Sequence, residues 1–68
     1  MSFGEFVEKI SEVFTNRENT YVRNDRENKK YTAKSGEWRV SLGYSGKRIR
    51  FYNVRSRENF YLDVAEFC

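Results

Sequence analysis

Between Arg39 and Arg57 the chain carries six basic side chains, Arg39, Lys47, Arg48, Arg50, Arg55 and Arg57, and no acidic one. Tyr52 follows Arg50 at a spacing of two, and Tyr61 completes the group. Lys and Arg neutralise phosphates, while tyrosine rings and guanidinium planes stack on bases. The same residue types are enriched at the energetic centres of protein–protein interfaces. An acid-free basic block of this kind suits a polyanion or an acidic protein surface.

The residues of catalysis are thinly supplied. The 68 residues include no His, which removes the commonest general base, the commonest metal ligand and every Ser–His or Cys–His pair. Cys68 is the only cysteine. One cysteine cannot build a zinc site or an internal disulfide, and it fits a reducing compartment. The four glycines form no phosphate loop, and the acidic residues form no calcium loop. Basic side chains alone can stabilise a phosphoryl transition state, but no motif of such a ribonuclease is present. The expectation is a non-enzymatic binding module with no metal or organic cofactor.

Strands must position these side chains. Trp38, Val40 and Leu42 alternate with Arg39, Ser41 and Gly43; Ile49 and Phe51 alternate with Arg48, Arg50 and Tyr52; Phe60, Leu62 and Val64 alternate with Tyr61, Asp63 and Ala65. A period of two buries one face and wets the other. Ser35-Gly36 and Ser45-Gly46 read as two-residue hairpin loops, with Gly supplying positive φ. Pairing Tyr44 with Lys47 sets Leu42 opposite Ile49, Val40 opposite Phe51 and Trp38 opposite Asn53. Pairing Val54 with Asn59 across Arg55–Glu58 sets Phe51 opposite Leu62 and Ile49 opposite Val64. Both registers match apolar with apolar side chains. On the wet face they place Arg39 beside Tyr52, Tyr52 beside Tyr61, Arg50 between Ser41 and Asp63, and Arg48 between Gly43 and Ala65.

The N-terminal part reads as a helix. Phe3, Phe6, Val7, Ile10, Val13 and Phe14 form one stripe, and Ser2 with Glu5 forms a capping box. The helix is expected to end at Phe14 or Thr15, with Asn16 as its stop. Asn19–Arg23 and Lys30–Lys34 read as short strands around an Asn24–Asn28 turn, with Tyr31 and Ala33 inward. The triplet Arg-Glu-Asn occurs at Arg17–Asn19, Arg26–Asn28 and Arg57–Asn59 without a repeat period. It reads as polar turn sequence, and a meander would not gather the three copies at one end.

The predicted fold class is α+β: an N-terminal amphipathic helix packed on a four- to five-stranded antiparallel β-meander. Residues 1–68 have room for one domain. Phe51-Tyr52-Asn53-Val54 followed by Phe60-Tyr61-Leu62-Asp63-Val64 faintly resembles the opening hairpin of the purine-rich-element-binding repeat. That repeat places its helix after its strands, whereas here the helix comes first, so no residue is carried over.

The formal net charge is +3, made of −2 in residues 1–15 and +5 in the remainder. No apolar run reaches membrane-spanning length, and the acidic amphipathic start is unlike a secretory signal, so the expected location is cytoplasmic. The expected partner is nucleic acid, single-stranded or contacted through its backbone. The expected binding residues are Arg39, Lys47, Arg48, Arg50, Tyr52, Arg55, Arg57 and Tyr61. The alternative is a protein-interaction module, such as a phage- or mobile-element-type inhibitor that binds an acidic surface of a larger host protein. The stretch Phe60–Phe67 contains no Lys, Arg or Pro and lies at the predicted sheet edge, which leaves open a homodimer through that strand.

Overall fold

A computed structural model describes residues 1–15 and 20–67. The chain runs α1 (Phe3–Val13), β1 (Tyr21–Asp25), β2 (Lys30–Ser35), β3 (Trp38–Gly43), β4 (Arg48–Asn53), β5 (Asn59–Asp63) and a single helical turn α2 (Val64–Phe67). The five strands form one antiparallel sheet in chain order, so the expected α+β meander is the observed fold. The expected stop at Asn16, the strand start at Asn19, the triplet Arg17–Asn19 and Cys68 lie outside the described residues.

Helix α1 starts as the Ser2/Glu5 pattern requires. The Glu5 backbone N–H donates to the Ser2 hydroxyl at 3.2 Å, and the Glu5 carboxylate accepts from the Ser2 backbone N–H at 3.3 Å. The helix ends with Phe14 as its cap, whose N–H donates to the Ile10 carbonyl at 3.0 Å. Phe6, Ile10 and Phe14 enter the core, but Val13 does not follow the predicted stripe: it is 52% exposed. The core joins them to Ala33, Val40, Leu42, Ile49 and Phe51 from the inner sheet face. Tyr31 extends this layer, its ring centroid 5.5 Å from those of both Phe3 and Phe6. The helix lies closest to β1 and β2, leaving the inner face near β5 less covered.

The expected β3–β4 register holds where the ladder forms, from Trp38 opposite Asn53 to Ser41 opposite Arg50. Three loops differ from expectation. The β2–β3 loop is Gly36-Glu37, because Ser35 pairs with Trp38. Gly36 has φ 58°, a positive φ at the first central position that favours glycine. Ser35 is almost fully buried, and its hydroxyl shares a 2.9 Å hydrogen bond with Thr20 Oγ1, which explains its recruitment into the strand.

The β3–β4 turn spans Gly43–Gly46, with the Gly46 N–H donating to the Gly43 carbonyl at 2.9 Å, so Tyr44-Ser45 rather than Ser45-Gly46 is its centre. The Tyr44 N–H donates to the Lys29 carbonyl at 2.9 Å, its ring lies 5.1 Å from Tyr31, and its hydroxyl donates to Asn24 Oδ1. These contacts draw Tyr44 toward the β1–β2 turn. Gly46 is not needed for positive φ; a Cβ there would stand 3.2 Å from the Gly43 carbonyl oxygen.

The β4–β5 register is displaced by two residues: Phe51 faces Phe60 and Ile49 faces Leu62. Asn53 is the cause. Its side-chain oxygen accepts the backbone N–H groups of Arg55 and Ser56, both at 3.0 Å. Its carbonyl accepts the Arg57 N–H at 2.9 Å, with Arg57 at φ 64°. The four-residue loop thus begins at Val54 instead of Arg55. The side chains keep their faces because the displacement is even. Strand β5 stops at Asp63, and the expected extended edge to Phe67 is replaced by α2. There the Val64 N–H donates to the Lys47 carbonyl at 2.9 Å, and Phe67 packs on Phe51 with ring centroids 6.1 Å apart.

Candidate functional site

The observed registers resolve the outer sheet face into cross-strand rows. One row reads Tyr21, Lys34, Arg39, Tyr52 and Asn59 from β1 to β5. The next reads Arg23, Thr32, Ser41, Arg50 and Tyr61. Thr32 and Ser41 are short, and the long side chains stand on either side of them. The result is an open trough of about 360 Å³, floored by Thr32, Ser41, Ala33 and Val40 and walled by Tyr21 and Arg23 on one side and Arg50 and Tyr52 on the other. Three inter-strand spacings separate β1 from β4, so the trough is roughly 14 Å wide between backbones.

None of the described acidic residues lines it. Asp25 is opposite Lys30 and Asp63 is opposite Arg48, at the far end of the outer edge strands. Arg48 Nε and Asp63 Oδ1 are 3.8 Å apart and both are well exposed, a weak pair. Asp25 is held below its ordinary carboxylate pKa by the Asn28 side-chain amide and then the Asn28 N–H, with smaller contributions from Arg23 and Lys30. Among the described residues, Arg23, Lys34, Arg39 and Arg50 form no ion pair.

Two of these cations are held by neighbouring groups. Arg39 Nη1 donates to the Gly36 carbonyl at 2.7 Å and to the Trp38 carbonyl at 2.9 Å. The Arg50 guanidinium carbon lies 5.3 Å from the Tyr52 ring centroid, within cation–π range. Tyr21, in the trough wall, is 64% exposed, and Tyr61, which does not line the trough, is 54% exposed.

Sequence reasoning placed Arg39, Arg50 and Tyr52 together, and the structure lines the trough with all three. The β4–β5 displacement changes their neighbours: Tyr61 faces Arg50 rather than Tyr52, and Asp63 faces Arg48 rather than Arg50. Arg48 stays on the outer face but beyond the trough. Lys47 lies in the β3–β4 loop at one end of the sheet, and Arg55 and Arg57 lie in the β4–β5 loop at the other. Those three residues are not brought together with the trough. The same topology sends the triplets Arg26–Asn28 and Arg57–Asn59 to opposite ends.

Tyr21, Arg23, Thr32 and Lys34 also line the trough and were not among the residues expected from the sequence. Their signal was the two-residue spacing in each short strand, which turns Thr32 and Lys34 outward once Tyr31 and Ala33 are set inward, as the sequence already suggests. Among the described residues, no cluster of His, Cys, Asp and Glu could hold a metal ion, and no helix is long and apolar enough to cross a membrane. No family model, no curated protein and no solved structure matches this chain.

Proposed function

We propose that the chain is a nucleic-acid-binding module whose outer sheet face takes a single strand. The observation that carries this reading is the trough with tyrosines on both walls and four cations around it, Arg23, Lys34, Arg39 and Arg50, that form no ion pair among the described residues. A single strand exposes the flat faces of its bases, which stack on aromatic rings without regard to sequence. Its phosphates follow the cations that flank those rings. A duplex hides its base faces and is read by elements that enter a groove. Among the described residues the outer face is a shallow sheet surface with no projecting helix, which favours the single strand.

Fluorescence anisotropy of labelled single-stranded DNA and RNA, each compared with its duplex at low salt, tests the reading. The expected result is micromolar or tighter binding of a single strand and weaker binding of the duplex. No single-strand binding in the micromolar range at low salt overturns it. A pull-down from nuclease-treated lysate adds the contrary outcome: a stoichiometric protein partner retained without nucleic acid would favour an acidic protein surface as the ligand of this face.

A further inference from the structure

Strand β5 is an edge of the sheet, and its backbone polarity is fixed by two hydrogen bonds. The Asn53 N–H donates to the Glu58 carbonyl at 2.8 Å, and the Val64 N–H donates to the Lys47 carbonyl at 2.9 Å. Both pairs belong to the β4–β5 register. In an antiparallel ladder, alternate residues direct both backbone groups to the same neighbour. Phe60 and Leu62 therefore point their N–H and C=O groups at β4. Asn59, Tyr61 and Asp63 point theirs out of the sheet, where they meet no strand among the described residues.

The side chains of the same edge leave apolar surface open. Phe60 stacks on Phe51 with ring centroids 5.1 Å apart and meets Trp38 edge-on at 5.8 Å, yet remains 45% exposed. A groove of about 330 Å³ runs beside it on the inner face, lined by Val13, Phe14, Trp38, Phe51, Phe60 and Leu62.

We infer that β5 pairs with β5 of a second copy of this chain, antiparallel and centred on Tyr61. This register uses the outward backbone groups of Asn59, Tyr61 and Asp63 in each copy, giving roughly six inter-chain hydrogen bonds. On the inner face it sets Phe60 opposite Leu62 of the second copy, continuing the apolar layer. On the outer face it sets Tyr61 opposite Tyr61 and Asn59 opposite Asp63, with no like charges facing. The other edge does not offer this match. Self-pairing of β1 about its centre would set two Arg23 side chains face to face and Val22 opposite Asn24. The β5 contact is isologous and closes at two copies, and it abolishes that edge as a site of open-ended association. The inference stands on the edge geometry and is independent of the nucleic-acid reading.

Sedimentation equilibrium of the full chain, free of nucleic acid and under reducing conditions, tests it. Reduction prevents a Cys68 disulfide from imitating the dimer. The expected result is a dimer at micromolar to about 100 μM concentration, the range of a specific but modest contact. Asn59→Asp places a second carboxylate opposite Asp63 of the other copy, twice per dimer, and should weaken dimerisation about fivefold or more; Asn59→Lys should tighten it. Asn59 is exposed, and circular dichroism checks that both variants fold. A monomer throughout the range overturns the inference, and so does a dimer that responds to neither substitution.

Discussion

Arg50, Phe51 and Tyr52 are consecutive residues of β4 with different environments. Phe51 is buried under Phe60 and Phe67, while Arg50 and Tyr52 wall the outer trough. Truncating a buried phenylalanine removes its transfer free energy and leaves a cavity, so Phe51→Ala should cost about 3–5 kcal/mol in urea unfolding. Arg50→Ala and Tyr52→Ala should change stability by about 0.5 kcal/mol or less. Each should weaken single-strand binding by about tenfold, the size of one lost stacking or phosphate contact. A Tyr52→Ala protein that unfolds while Phe51→Ala stays folded would reverse the two faces. This division was legible in the sequence because Ile49 and Phe51 alternate with Arg48, Arg50 and Tyr52 without interruption.

Elements were legible where residue types specify the local contact, and less so where the contact rests on an uncommon backbone conformation or on a distant partner. The Ser2/Glu5 box sits within one turn, and α1 begins where that box says. The β4–β5 loop depends on the Asn53 side chain reaching two later N–H groups and on Arg57 adopting φ 64°, which residue preference does not specify. The Gly43–Gly46 turn depends on Tyr44 contacting Asn24, Lys29 and Tyr31 from other elements. Helix cap and first turn also share a pH response. Glu5 is held below its ordinary pKa first by the Ser2 backbone N–H and then by the Ser2 hydroxyl, as Asp25 is by Asn28. A carboxylate with a depressed folded pKa binds fewer protons folded than unfolded. Its contribution is present above the unfolded value and is lost as pH falls through the folded one. Thermal melts should therefore show Tm falling as pH is lowered through about 4 and below. Glu5→Gln with Asp25→Asn should flatten that fall; an unchanged profile would mean these bonds add nothing to stability.

At the scale of the whole molecule, charge is sorted by element. The helix carries Glu5, Glu8 and Glu12, and the sheet and its loops carry the positive excess. With three to four phosphates neutralised by Arg23, Lys34, Arg39 and Arg50, the single-strand affinity should fall with a log–log salt slope of about −2 to −3, roughly twenty- to fiftyfold between 50 and 200 mM salt. A slope near zero would rule out phosphate contacts.

The trough itself was only half legible. The β3–β4 register could be worked out, so Arg39, Arg50 and Tyr52 were found together. The wall made by Tyr21 and Arg23 depends on the registers of β1 with β2 and of β2 with β3, which short strands around a polar turn do not fix. Lys47, Arg55 and Arg57 were grouped by a run of charge, and the meander separates them because consecutive loops fall at opposite ends.

Backbone and tyrosine-ring NMR shifts, followed while a single-stranded oligonucleotide is added, test the central claim most directly. The account predicts perturbations concentrated at Tyr21, Arg23, Thr32, Lys34, Arg39, Ser41, Arg50 and Tyr52, with the inner-face groove around Val13, Phe14 and Phe60 undisturbed. Perturbations confined to the inner groove or the loop ends, or none at low salt, would contradict it.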